Sequence, residues 1–193
     1  YPNFIDYNLT YNQFCPPLPE CIDAPEEEIT YQDCNCETGY TRLDGYCYFT
    51  IDINVLQTII DNSKAISDSL NMSMDADSNG EIDPLELGIQ KWSKGRLETL
   101  DCYWETTSCN LNIPIPENID DLDSLKILDL QKNNLSGEIP ENICTMFPVI
   151  ETLNLSENGF CNEGYTQEQI CKNLPESVTI QEGDSLCFKT DNL

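Results

Sequence analysis

Residues 75–86, Asp-Ala-Asp-Ser-Asn-Gly-Glu-Ile-Asp-Pro-Leu-Glu, carry the most specific chemistry in the chain. A hard cation such as Ca2+ takes roughly six to eight oxygen ligands, and a twelve-residue loop supplies them from positions 1, 3, 5, 7, 9 and 12. Here those positions hold Asp75, Asp77, Asn79, the carbonyl of Glu81, Asp83 (directly or through water) and Glu86 as the bidentate ligand. Gly80 falls at position 6, where the chain must turn with positive φ, and Ile82 is the inward apolar anchor. An acidic, solvated loop is the plain alternative, but it does not require these positional demands to be met together.

The elements that must hold this loop fit less well. The loop resembles an EF-hand, a family whose calcium loop lies between two helices, and the resemblance implies Ca2+ as the bound ion. Upstream, Val55, Leu56, Ile59, Ile60, Ile66 and Leu70 recur at helical spacing, which predicts an entering helix over about 52–72. Downstream, Pro84 suits a first helical turn, so a second helix is expected to about Trp92, ending near Gly95. Met74, Leu70 and Leu87 match the family's apolar flanks, whereas Asn71, Ser67, Gln90 and Lys91 do not. No second loop follows the pattern. A lone site with such flanks reads as a structural clip rather than a sensor that opens a groove.

Composition bounds the rest. The 193 residues carry 35 acidic and 9 basic side chains, a formal charge of −26 and no histidine. So acidic a surface repels nucleic acid and anionic membranes. The lack of histidine removes Ser–His and Cys–His nucleophiles and every His-dependent zinc site. No catalytic set stands out, and the chain is expected not to be an enzyme. Eleven cysteines in an acidic, loop-rich chain point to disulfides and an extracellular location. There is no long apolar run for membrane insertion, and a start at Tyr1 without a signal sequence reads as a mature secreted product.

At the N-terminus, Ile5, Tyr7, Leu9 and Tyr11 alternate with polar residues as in a half-buried strand. This arm, 1–14, either pairs within its own chain, lies disordered, or is offered to a neighbouring molecule. Residues 15–50 hold five cysteines, and Cys34-Asn-Cys36-Glu-Thr-Gly39-Tyr40 running to Cys47 resembles the second half of an EGF-like module. That resemblance implies a Cys36–Cys47 pair, with Cys34 taking Cys21 or Cys15; a generic knot of disulfide-tied loops is the other reading. Because eleven is odd, one cysteine cannot pair inside the chain, and Cys15 beside the arm is the candidate for an intermolecular bond.

From residue 102 a repeat appears. Ile115-Pro-Glu-Asn-Ile119 recurs as Ile139-Pro-Glu-Asn-Ile143, and Leu125, Leu128, Leu130 and Asn133 recur as Ile150, Leu153, Leu155 and Asn158. Val178 and Ile180 continue the phase. Aligned leucines of this kind stack into a continuous core, with Asn133 and Asn158 buried and bonding neighbouring backbone. These marks, with Cys102-x-Trp104-x4-Cys109, resemble plant-type leucine-rich-repeat proteins and their N-terminal cap, which implies a Cys102–Cys109 bond. Asp129, Asn154 and Thr179 would then lie on the concave strand face. Thr166–Gln169 opens a short helix to about Leu174, and Cys144, Cys161, Cys171 and Cys187 are placed to tie down the solenoid's end. Four glycosylation triplets begin at Asn8, Asn71, Asn134 and Asn154.

The expected fold class is α+β: a short leucine-rich-repeat solenoid (100–193), preceded by a helical EF-hand module (51–99) and a disulfide-rich N-terminal segment. Two functions compete. One is a secreted, calcium-binding structural or adhesive protein whose partners are itself or other extracellular proteins, assembling head-to-tail into filaments. The alternative is a recognition or inhibitor protein that reads a protein or saccharide ligand on the concave face.

Overall fold

The computed structural model describes residues 36–66, 70–104, 107–147 and 149–160. Strands β1 (Tyr40–Leu43) and β2 (Tyr46–Phe49) form a hairpin closed by the Cys36–Cys47 disulfide. Helix α1 (Thr50–Ile66) follows at once, burying Val55, Leu56, Ile59 and Ile60 on one face, as their spacing requires. The arm, Cys15, Cys21, Cys34, the rung at Val178–Ile180, the short helix after Thr166 and Cys161, Cys171 and Cys187 lie outside the described residues. Among the described residues no helix is long and apolar enough to cross a membrane.

Strands β3 (Ile89–Ser93), β4 (Arg96–Asp101), β7 (Ile127–Asp129) and β9 (Thr152–Asn154) make a four-stranded sheet in that order. β3 and β4 are an antiparallel hairpin; β4, β7 and β9 run parallel, with Leu100, Leu128 and Leu153 in register. All three leucines are fully buried, so each rung sets its middle leucine on the next. Two short pairs complete the strands: β5 (Tyr103–Trp104) with β6 (Thr107–Ser108), and β8 (Ser136–Gly137) with β10 (Gly159–Phe160).

One rung precedes those expected from the sequence. Leu97, Leu100 and Cys102 are all buried and occupy the places that Leu125, Leu128 and Leu130 take in the next turn. The register shift opposite Lys91 and Trp92 leaves Glu98 without a partner in β3. That extra residue lets both Leu97 and Leu100 face the core.

The segments expected as separate modules share one core. Val55, Leu56, Ile59 and Ile60 of α1 join Leu70, Met74, Ile82 and Leu87 around the acidic loop in the same buried cluster as the repeat leucines. The boundary expected near residue 100 therefore falls inside β4, and the sheet runs across it.

Candidate metal centre and sheet face

The acidic loop folds by satisfying its own backbone. Asp75 accepts from the N–H groups of Asn79 (3.1 Å) and Gly80 (2.9 Å), and Asp77 accepts from Asn79 N–H (2.9 Å). The Asn79 side-chain oxygen accepts from Glu81 N–H (2.7 Å). Glu86 reaches back across the loop to the N–H groups of Ala76 (2.8 Å), Asp77 (3.2 Å) and Asp83 (3.0 Å). Gly80 turns the chain at φ +88°, and Ile82, 2% exposed, pins the loop to the core.

The result brings carboxylate oxygens of Asp75, Asp77 and Glu86 within 4.8 Å of one another. Asp83 is exposed and outside that group, which suits a ligand acting through water, and Asn79 sits in the turn between them. The Glu81 side chain points away to Lys64 (3.0 Å), which leaves its carbonyl as the group this residue would offer. An all-oxygen set with three converging carboxylates fits a hard divalent cation such as Ca2+.

The flanks differ from the expected helix pair. A single 3-10 turn, Met72–Met74, leads in, and the turn Pro84–Glu86 leads directly into β3. The second helix expected to Trp92 is a strand because Gly88, at φ +66°, breaks the chain direction, and Ile89, Lys91 and Ser93 then alternate outward against Gln90 and Trp92. A Cβ on Gly88 would stand 2.6 Å from the Asp101 carbonyl and 3.1 Å from each sulfur of Cys102 and Cys109. These two cysteines are bonded to each other. On the loop's other side, Asn71 N–H donates to the Cys109 carbonyl (3.0 Å) and its side-chain amide to the Ser108 carbonyl (2.9 Å). The loop is thus mounted front and back on the disulfide ring at the head of the solenoid.

Beyond the loop, the sheet face turned away from the core carries two rows. Register puts Lys91, Thr99, Ile127 and Thr152 in one, and Ile89, Asp101, Asp129 and Asn154 in the other. The second row also shapes the turns. Asp101 accepts from Tyr103 N–H, Asp129 from Gln131 N–H and Asn154 from Ser156 N–H, an identical side-chain turn closing each strand. Burial first, and then the neighbouring Asp129 carboxylate, raise the Asp101 pKa against the opposing pull of the Tyr103 N–H.

The ladder asparagines sit behind this face. Asn133, 7% exposed, accepts from Leu111 N–H and donates to the carbonyls of Cys102, Leu130 and Gln131. Asn158, half-buried, does the same for Leu135 N–H and the carbonyls of Leu130, Leu155 and Ser156. Of the asparagines in glycosylation triplets, Asn134 is exposed with its amide on Asn112. The Asn71 amide is held by the Ser108 carbonyl, and that of Asn154 by Asp129 and Gln131. Asn8 lies outside the described residues.

Sequence reasoning passed over Asp52 and Arg96. Asp52 is fully buried and accepts from Arg96 (3.0 and 3.2 Å) and from Leu97 N–H (2.9 Å). Arg96 also lies 4.1 Å over the Phe49 ring and bonds Asp123. One aspartate among so many gives no signal in the sequence; only the pairing of α1 with β4 reveals it.

A family model described as Leucine Rich Repeat matches residues 124–146. The chain carries a leucine-rich repeat there, covering β7, β8 and the 3-10 helix Glu141–Met146. Among solved structures, a chain in the crystal structure of the BIR3–SERK2 complex from Arabidopsis thaliana is similar, at 28% identity and a TM-score of 0.39. The match covers 57% of this chain and 56% of that one, so the chain spans little more than half of its neighbour. No curated protein matches the chain.

Proposed function

We propose that this is an extracellular leucine-rich-repeat recognition protein. It binds a protein ligand on the outer face of the sheet β3–β4–β7–β9, with Ca2+ in the 75–86 loop fixing the first strand of that face. One observation carries the reading: β3 issues directly from the acidic loop and adds Ile89, 44% exposed, together with Lys91 and Ser93 to the face of the repeat strands. The loop therefore supports the binding surface rather than forming a separate sensor.

Asp75, Asp77, Asn79, Asp83, Glu86 and the Glu81 carbonyl would hold the ion. When bound, it supplies positive charge among carboxylates that otherwise repel one another. The chain's own residues do the rest. Gly88 packs on the Cys102–Cys109 bond, and Asn71 ties the loop's entry to β6. The structural or adhesive reading, with head-to-tail filaments, has its carriers in the arm 1–14 and Cys15, outside the described residues.

The test is capture. The full chain, immobilised in millimolar calcium, is exposed to extracellular proteins, and captured species are compared with those on an Ile89→Asp, Ile127→Arg variant. Loss of a specific captured protein by the variant, with its calcium response kept, supports the reading. Identical capture by both, or calcium-dependent growth of the chain alone into large species in sedimentation, overturns it.

A further inference from the structure

A cleft of about 700 Å³ lies between the β1–β2 turn, helix α1 and the acidic loop. That volume falls in the range that holds a side chain or a small ligand, roughly 300–1,000 Å³. Leu43, Ile53, Ala76, Pro84 and Leu85 give it apolar walls, while Asp44, Asp77, Asp83 and Glu86 supply its charge. None of its lining residues is basic. Tyr46, directly across the hairpin from Leu43, is 50% exposed.

We infer that this cleft is a docking site for a lysine- or arginine-bearing segment of a partner protein. The match is one of charge and shape together. Long basic side chains lay an aliphatic stem along apolar surface while the charged head reaches a carboxylate. An acidic ligand would meet Asp44 and the 75–86 loop, whose five acidic side chains exceed the charge of one divalent ion, on a chain whose net charge is already −26.

Asp44 is the residue that singles out the cleft. It lies in the hairpin turn, outside the metal loop, so it keeps its charge for a ligand when the loop's own carboxylates serve an ion. The site shares none of the sheet-face residues and goes beyond the recognition reading above.

The experiment is an NMR titration of the full, isotope-labelled chain in calcium with two pentapeptides, Ala-Leu-Lys-Leu-Ala and Ala-Leu-Glu-Leu-Ala, both capped. The lysine peptide should shift the amides of Asp44, Gln57, Ala76 and Leu85 and bind at least about tenfold more tightly than the glutamate peptide. Asp44→Asn should weaken the lysine peptide about three- to tenfold and leave the calcium-dependent melting shift unchanged. Asn tolerates the φ of +48° found at Asp44, so the turn is kept. Equal affinity for both peptides, shifts confined to other surfaces, or an Asp44→Asn variant that binds as before would each overturn the assignment. Loss of the calcium response alone would instead bear on the metal reading.

Discussion

Asp52 shows how much one side chain can hold. Its carboxylate, with no exposure, joins the first turn of α1 to the backbone of β4 and to Arg96, which in turn stacks on β2. Burial works to lower the Arg96 pKa, but the hydrogen bonds to Asp52 and Asp123 outweigh it and hold the guanidinium above its ordinary value. Removing Asp52 would leave the buried Leu97 N–H unpaired, at about 1–3 kcal/mol, and strip Arg96 of its buried partner, whereas an exposed pair is worth about 0–1 kcal/mol. Asp52→Ala should therefore lower stability in urea by several-fold more than Asp123→Ala; equal losses would show that Asp52 is not the tie. Asp101 works in the opposite sense. Its raised pKa means that the folded state disfavours its charge, beside Asp129 on the next strand. For a carboxyl raised on folding, the stabilising contribution is present below the unfolded value and lost as pH rises through the folded value. Asp101→Asn should thus raise the melting temperature at neutral pH, with the gain shrinking as pH falls through that window. A gain that persists undiminished in acid would point to some other cause.

Elements that depend on local spacing were legible, and those that depend on a distant partner were not. The turn at Gly80 and the Leu-x-x-Leu-x-Leu-x-x-Asn register are written in consecutive residues, and Asn133 performs the backbone bonding that such a register demands. The rung at Leu97, Leu100 and Cys102 escaped because a cysteine replaces its third leucine and no ladder asparagine follows. The helix expected after Glu86 failed for a tertiary reason: Gly88 must pass close to the disulfide, and β3 finds its partner in β4. Asn133→Ala would leave the Leu111 N–H unpaired, while the Cys102 and Leu130 carbonyls keep the Cys109 N–H and the Asn158 amide; at about 1–3 kcal/mol for a buried unpaired group, a loss of that size is expected. Asn158→Ala should cost less because water reaches that side chain, and the ranking is readable from urea midpoints of the two variants. In the loop, Glu86 gathers three N–H groups besides standing at the bidentate position. The affinity for Ca2+ should be in the extracellular range, on the order of 10⁻⁴–10⁻³ M. At about a hundredfold over that constant, binding would add roughly 2.7 kcal/mol. Glu86→Gln should abolish most of the melting shift between calcium and EGTA; an unaltered shift would remove Glu86 from the site.

The loop and the repeats either unfold together or melt apart. Two domains meeting near residue 100 would melt separately, with calcium moving only the first. The described structure argues for one cooperative body. Ile82 and Leu87 beside the loop, Leu56 and Ile60 of α1, and Leu128 and Leu153 of the repeats belong to one buried cluster. Two backbone attachments at Ser108 and Cys109, and the close passage of Gly88 over the disulfide, carry strain or support from the loop into the first rung. Charge adds to the coupling, since a chain at −26 repels itself most where carboxylates converge, and an ion there relieves the compact state as a whole. Leu128→Ala, deep in the repeats, should cost about 2–5 kcal/mol through the cavity it leaves. In calorimetry of the full chain, the transition that Leu128→Ala moves down should be the same one that calcium moves up. Amides of β3 and β7 should share their hydrogen-exchange protection in both conditions. Two resolved transitions, one answering to calcium and the other to Leu128→Ala, would mean that the shared core does not couple the loop to the sheet, and the loop could not then be what steadies the binding face.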